Sequence, residues 1–405
     1  MSDTERKEMS ATPPGVAQPV SAGVIASLVG FASTFALVLA GLRAVGADEA
    51  QAASGLAFLC LAMGVIAIGL GLRYRTPLAI AWSTPGAALL ISSGGVPGGY
   101  AAALGAFAVT GVLIVLAGLW RALGRWVAAI PPALAGAMLA GVLLPVCIAP
   151  VRAVAELPLE AGPVVLAWAL LVRVARPWAV PGALAVAAVV IALDPQDTAA
   201  GLPLAPALSF TVPRLDPGAL VGLALPLFVV TMASQNIPGM GVLAGFGYRA
   251  PLRPALVSTG AATVLGAPFG AHAINLAAIT AALVAGPDAH PDPARRWVAS
   301  VSSGVAYLLL GLTAGLATAL IAVAPPLLIE AVAGLALIGA LGAAISAALA
   351  DAERREAAIV TFVVSASSIT ALGISAPFWG LVAGLAYLAL QWRPARRREP
   401  ARQAA

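Results

Sequence analysis

The chain alternates long apolar runs with short breaks in which its charges, glycines and prolines collect. Residues 23–42, 55–72, 101–120 and 126–150 contain no Asp, Glu, Lys or Arg. At about 1.5 Å per helical residue, each can cross, or very nearly cross, the roughly 30 Å hydrocarbon layer of a bilayer. Taking turn residues and charges as boundaries predicts about fourteen membrane segments. Their starts fall near residues 21, 51, 76, 98, 126, 160, 178, 217, 251, 268, 297, 325, 356 and 374. The predicted architecture is an all-α polytopic membrane protein.

Composition agrees. Of 405 residues, 61% are hydrophobic and 10% charged, against about 25% charged in soluble domains. The apolar runs extend from residue 21 to residue 391 and leave no room for a separate soluble domain. Residues 1–20 include Asp3, Glu5, Arg6, Lys7 and Glu8 and lack an apolar run ending in a cleavage site, so they read as a cytoplasmic tail. Cys60 and Cys147 both lie in apolar runs, without metal-site or disulfide spacing, and read as small buried hydrophobes.

The net charge of +5 does not point to nucleic acid, because the basic residues are scattered through short loops and form no stripe. They report topology. With a cytoplasmic N-terminus, the loops holding Arg73 and Arg75, Arg121 and Arg125, Arg173 and Arg176, Arg249 and Arg253, Arg295 and Arg296, and Arg354 and Arg355 all face the cytoplasm. So does the basic tail 392–405. Of the 22 basic residues only Arg43, Arg152 and Arg214 then lie outside, as the positive-inside rule requires.

Residues 195–216 form the longest polar, proline-rich break and read as a periplasmic linker between halves 21–194 and 217–391. With about seven segments per half, the second half enters from the opposite side, the inverted-repeat plan of many secondary transporters. Both halves carry an interrupted third segment. Residues 76–82 run into Ser83-Thr84-Pro85-Gly86, a helix start by hydroxyl capping and proline placement, and residues 266–270 run into 271–275. Each reads as an extended piece followed by a short helix. Corresponding broken segments point to a substrate site near the bilayer midplane.

Three motifs, in order, resemble the bacterial benzoate/proton symporter family: residues 77–86 (PLAIAWSTPG), 233–240 (ASQNIPGM) and 267–280 (APFGAHAINLAAIT). The resemblance covers residues 21–391. It implies a fold similar to uracil permeases, with seven-plus-seven inverted repeats divided into core and gate domains and a site between them. It also implies residence in a bacterial inner membrane and transport of an aromatic carboxylate with a proton. Nucleobase carriers of that fold read the ring with acidic side chains. Here the matching positions offer Ser234, Gln235 and Asn236, then His272 and Asn275, which favours an anion over a nucleobase.

Two short helices starting in mid-membrane aim amide N–H groups at the gap between them, an arrangement that suits a carboxylate. Ser83, Thr84 and Gln235 are candidate donors, with Gly86 and Gly270 in the two broken segments, and Phe31, Trp82 and Phe269 are candidates for an apolar slot around the ring. His272 is the titratable residue between Arg253 and Asp288 and the candidate for proton coupling. Second readings stand beside these: His272 satisfied by backbone carbonyls, Gln235 and Asn236 capping a helix end, Ser83 and Thr84 as caps alone. His290, in a cytoplasmic loop, reads as solvated. No cofactor or metal is expected, and the expected partners are substrate, proton and membrane lipid, with a homodimer left open. A nucleobase carrier, another organic or inorganic anion carrier, an intramembrane enzyme and a channel are the rival functions. The last two lack a catalytic constellation and a filter motif.

Overall fold

The computed structural model of the chain describes residues 15–120, 130–193, 208–277, 280–322, 324–367, 369–371 and 374–391. In the first half, helices α1 (Ala17–Ala44) and α2 (Glu49–Tyr74) lead to strand β1 (Ile80–Trp82) and helix α3 (Thr84–Ser93). Helices α4 (Gly99–Leu119), α5 (Pro132–Glu156), α6 (Pro158–Val174) and α7 (Ala179–Leu193) follow. The second half opens with α8 (Pro217–Gly245). It continues through α9 (Leu252–Gly266), strand β2 (Ile274–Leu276), α10 (Ala281–Ala285), α11 (Trp297–Gly311), α12 (Ala314–Ala322), α13 (Pro326–Leu349), α14 (Arg355–Ala366) and α15 (Ala376–Gln391). Six of these, α1, α2, α4, α5, α8 and α13, are long and apolar enough to cross a bilayer. The chain is a multi-pass, predominantly helical membrane protein.

Helices begin at residues 49, 99, 158, 179, 217, 252, 297, 326, 355 and 376, each within two residues of an expected start. The expected start at 126, the tails 1–14 and 392–405, and linker residues 194–207 lie outside the described residues. The rest of the linker is no free loop. Ser54 Oγ of α2 accepts from Ser209 N at 2.9 Å, Thr211 N donates to Pro268 O at 2.8 Å, and Arg214 N donates to Ala101 O at 2.8 Å. Asp216 then caps α8 by accepting from Ala219 N at 3.0 Å, with Pro217 in the first turn.

Lipid gives apolar helices no hydrophobic reason to associate, so close approach through small residues does the holding. Helices α2 and α11 cross at a glycine pair: a methyl built on Gly64 would lie 2.7 Å from Gly304 O, and one on Gly304 would lie 2.7 Å from Gly64 O. Helices α4 and α9 repeat this, Gly111 and Gly260 each facing the other's carbonyl at 2.7 Å. A hydroxyl sits beside each crossing. Ser303 Oγ is 2.7 Å from Ser27 Oγ on α1, and Thr110 Oγ1 donates to Ala224 O on α8 at 3.2 Å.

Helix α8 is continuous but widens into π-type turns at Leu220–Ala224 and Met232–Asn236. Pro226 and Pro238 follow each wide turn by two residues. A proline ring clashes with the carbonyl four residues back and cannot donate to it, and a wider turn absorbs the misfit. The main apolar cluster draws on α1 to α5, α8, β1 and β2, whereas a second gathers Ala153, Ala161, Val164, Ala183, Leu328 and Leu335 from α5, α6, α7 and α13. Cys60 is buried as expected, but Cys147 is only half-buried.

Candidate functional site

The two interrupted segments meet. β1 and β2 pair antiparallel, Ile80 opposite Leu276, Ala81 opposite Asn275 and Trp82 opposite Ile274. The pairing extends one bond beyond each end: Ser83 N donates to Ala273 O at 2.9 Å and Ala277 N to Ala79 O at 2.8 Å. Extended backbone inside a membrane protein must find partners for every N–H and C=O, and each segment supplies the other's. Pro77 biases Thr76 away from the helical region, which opens the first extended piece. In the second, Gly270 adopts φ +96° and reverses the chain after the Ala267–Phe269 turn, a conformation open to glycine at little cost.

The outer edge of β2 is satisfied by side chains. Thr263 Oγ1 of α9 accepts from Ile274 N at 3.0 Å, and Asn236 Oδ1 of α8 accepts from Leu276 N at 2.9 Å. Ser300 of α11 donates to Leu78 O at 2.5 Å. Asn275 is fully buried, and its amide, oriented to suit its neighbours, accepts from Ser83 N at 3.0 Å and donates to Leu276 O at 2.8 Å. Asn236 and Asn275 thus both bond to the backbone of the crossing.

At the start of α3, Ser83 caps the helix: its Oγ accepts from Gly86 N at 3.1 Å and from Thr231 Oγ1 of α8 at 2.9 Å. Ser83 is fully buried. Gly86 allows α8 to come close, because a methyl there would meet Leu227 Cδ1 at 2.6 Å. Pro85 has no N–H, Gly86 N is taken, and Thr84 is half-buried with no hydrogen bond from its hydroxyl among the described residues. Thr84 is thus the donor left at this helix end. The partner helix α10 has only five residues, and Ala278 and Ile279, just before it, are outside the described residues.

His272 is fully buried, with Nε2 3.0 Å from Ser83 O and its ring edge-on to Phe107 at 6.3 Å between centroids. Nδ1 is buried and has no hydrogen-bond partner among the described residues. The Ser83 carbonyl can only accept, so Nε2 carries the proton and Nδ1 presents a lone pair.

The expected aromatic slot is split. Phe31 and Trp82 do meet, edge to face at 5.9 Å, and Trp82 Nε1 donates to Thr34 Oγ1 at 2.9 Å. Phe269 does not join them. It stacks on Phe58 at 5.2 Å and abuts Phe210 at 5.7 Å, because the reversal at Gly270 sends it to the far end of α9. Gly270 goes with it and packs its carbonyl against Gly55. The place expected for Phe269 belongs to Tyr307 of α11, 6.2 Å from Trp82, whose hydroxyl lies against Gly30. Ser234 is half-buried and Gln235 buried, both in the wide turn of α8. His290 is not solvated: it is 3% exposed, and its Nδ1 accepts from Asp292 N at 3.0 Å.

Thr34, Thr231, Thr263, Ser300 and Tyr307 escaped the sequence reading. Their one signal is being polar groups within apolar helices, which a bond to the preceding helical turn explains equally well.

Known proteins place this arrangement. The transmembrane domain of a cyanobacterium bicarbonate transporter, BicA, aligns over 91% of this chain and 97% of its own at TM-score 0.57 and 14% identity. SLC26A9 aligns over 92% of this chain and 65% of its own at TM-score 0.60 and 15% identity. These are likenesses of fold. In sequence, the chain is 40% identical over 368 residues to the inner membrane protein YdcO of Escherichia coli K12, covering 90% of this chain and 93% of that protein. It is 30% identical over 378 residues to the benzoate membrane transport protein of Acinetobacter baylyi, covering 91% and 94%. The family model described as benzoate membrane transport protein (BenE) matches residues 15–390, and the chain belongs to that family.

Proposed function

We propose that this protein is a secondary carrier of a bacterial inner membrane that imports benzoate, or a closely related aromatic carboxylate, together with a proton. The observation that carries the reading is the buried crossing of β1 and β2 within a chain of the benzoate transport family. Thr84, at the positive end of the ten-residue helix α3, donates to the carboxylate from its N–H and hydroxyl, and Ser234 and Gln235 supply further donors. The ring lies against Trp82 and Phe31, with Tyr307 completing the wall.

Alternating access would use an inverted repeat, which two internal correspondences support. Exchanging Gly64 with Gly260 and Gly111 with Gly304 turns the α2–α11 glycine contact into the α4–α9 one. The same exchange carries Ala81 onto Asn275 and the Ser83 N to Ala273 O bond onto Ala277 N to Ala79 O. Two strands related by such a two-fold must run antiparallel, as these do. The reading therefore has about fourteen membrane segments in two inverted sets of seven, with α1–α4 and α8–α11 as core, the remainder as gate, and both termini cytoplasmic.

Import of a monoanion against an interior-negative potential costs about 2.3 kcal/mol per 100 mV, and one proton moving with it cancels that charge. Protonation of His272 at Nδ1 is our assignment for the coupling step, because that nitrogen is buried with no hydrogen-bond partner among the described residues. A second reading, an inorganic-anion carrier, draws on the fold shared with BicA and SLC26A9, named for bicarbonate transport and as an anion transporter family member. Competition decides between them: excess unlabelled benzoate should abolish labelled benzoate uptake in cells expressing the protein, while uracil and sulfate leave it intact. Absence of benzoate-competable uptake would end the substrate assignment.

A further inference from the structure

Helix α10 has five residues and two ends to satisfy. Such a turn does not hold itself together, because the nucleation penalty outweighs its one or two bonds. Backbone bonds also tie it to the residues on either side, Val284 N to Thr280 O at 3.3 Å and Gly286 N to Ala282 O at 2.9 Å. Its last carbonyls need donors from elsewhere. Arg296, immediately before α11, supplies the donor for the last of them. The residue is 6% exposed. Its Nη1 donates to Ala285 O, the last carbonyl of α10, at 2.9 Å, its Nε to His290 O at 2.6 Å, and its Nη2 to Pro291 O at 3.2 Å.

Among the described residues, the ion pairs involve Arg43, Arg152, Arg295 and Arg354, and none involves Arg296. Its three bonds named above all go to backbone carbonyls, and the one to Ala285 O is the favourable arrangement for a cation at a helix C-terminus. The hold extends to α8. Tyr248, just past the end of α8, donates to Pro293 O at 2.8 Å. A planar guanidinium reaches three carbonyls at fixed angles, which an ammonium cannot do.

We infer that Arg296 is a positioning residue for substrate binding: its guanidinium fixes the far end of α10, and through that helix sets the placement of the β2 arm at the crossing. The inference rests on the crossing being the substrate site. Arg296 does not touch the substrate. Its effect belongs to affinity, because it sets one binding geometry and takes no part in the gate movement.

The test uses the purified full-length protein with Arg296→Gln and Arg296→Lys. Hydrogen–deuterium exchange is read over residues 281–291 and over 84–93, and labelled benzoate binding and exchange are measured in proteoliposomes. Losing charge-assisted bonds predicts about tenfold faster exchange over 281–291 in the glutamine variant and about threefold in the lysine variant, with 84–93 unchanged. The dissociation constant for benzoate rises by about the same factors while the maximal exchange rate stays within about twofold. Wild-type protection of 281–291 in either variant overturns the inference, as does lost protection with unchanged benzoate affinity. If the glutamine variant fails to fold, the lysine variant decides on the same two readouts. A wild-type protein that does not bind benzoate contradicts the proposed substrate instead, and the ligand-free exchange data still decide whether Arg296 holds α10.

Discussion

Thr263→Val removes one oxygen and keeps the shape of the side chain, so it isolates the bond that fixes the edge of β2. Thr263 is fully buried; it accepts from Ile274 N at 3.0 Å and donates to Thr259 O at 2.9 Å. Valine leaves no cavity. The Thr259 carbonyl lies within α9 and keeps its helical donor, but the Ile274 amide loses its acceptor where no water can replace it. A buried unsatisfied donor costs about 1–3 kcal/mol, which is about 5- to 150-fold in an unfolding equilibrium.

Thr259→Val is the matched control. Thr259 is equally buried on the same helix, and its hydroxyl donates to Ala255 O at 2.8 Å and Leu256 O at 3.3 Å, both within α9. No strand amide depends on it, so its loss is expected to stay below about 0.5 kcal/mol, in the range of a surface change. Reversible unfolding in mixed detergent micelles gives both values. Equal stability of the Thr263 variant and the wild type, or equal losses for the two substitutions, would refute the claim that side chains hold the extended segment.

Three further outcomes follow from the geometry. Gly304→Ala puts a methyl 2.7 Å from Gly64 O and should lower stability by about 1–3 kcal/mol, whereas Gly69→Ala, which meets nothing within 4 Å, should not; thermal unfolding in detergent compares them. Thr84→Val should raise the KM for benzoate about tenfold or more, the loss of one hydrogen bond to a charged group, with the maximal rate nearly unchanged in uptake assays. His272→Ala should abolish accumulation driven by a pH gradient while sparing most benzoate exchange; equal loss of both would assign His272 to holding the Ser83 carbonyl alone.

The elements were legible because each has a local cause. Apolar runs bounded by arginines set the helices, and Thr76-Pro77, Ser83 with Pro85, and Gly266 to Gly270 mark the interruptions by backbone sterics and capping. Partnerships across the fold were not. Phe269 is three residues from His272, yet Gly270 turns the chain between them and parts the two side chains. Tyr307, far along in α11, takes the place beside Trp82, and nothing in its own helix announces that. Asn236 and Asn275 read as candidate ligands because they stand in the motifs that resemble the benzoate/proton symporter family. That they also bond to the backbone of the crossing is visible only once β1 pairs with β2. His290 and Arg296 look like solvated loop residues until α10 proves so short that its carbonyls need the guanidinium.

The central claim is that the crossing of β1 and β2 serves a carrier that couples an aromatic carboxylate to a proton. Purified protein in liposomes with an acid exterior and labelled benzoate outside tests it most directly. The account predicts accumulation above the level of protein-free liposomes held at the same gradient, collapse on adding a protonophore, and acceleration of influx by unlabelled benzoate inside. Uptake that matches protein-free liposomes, or that ignores the imposed gradient, would contradict it.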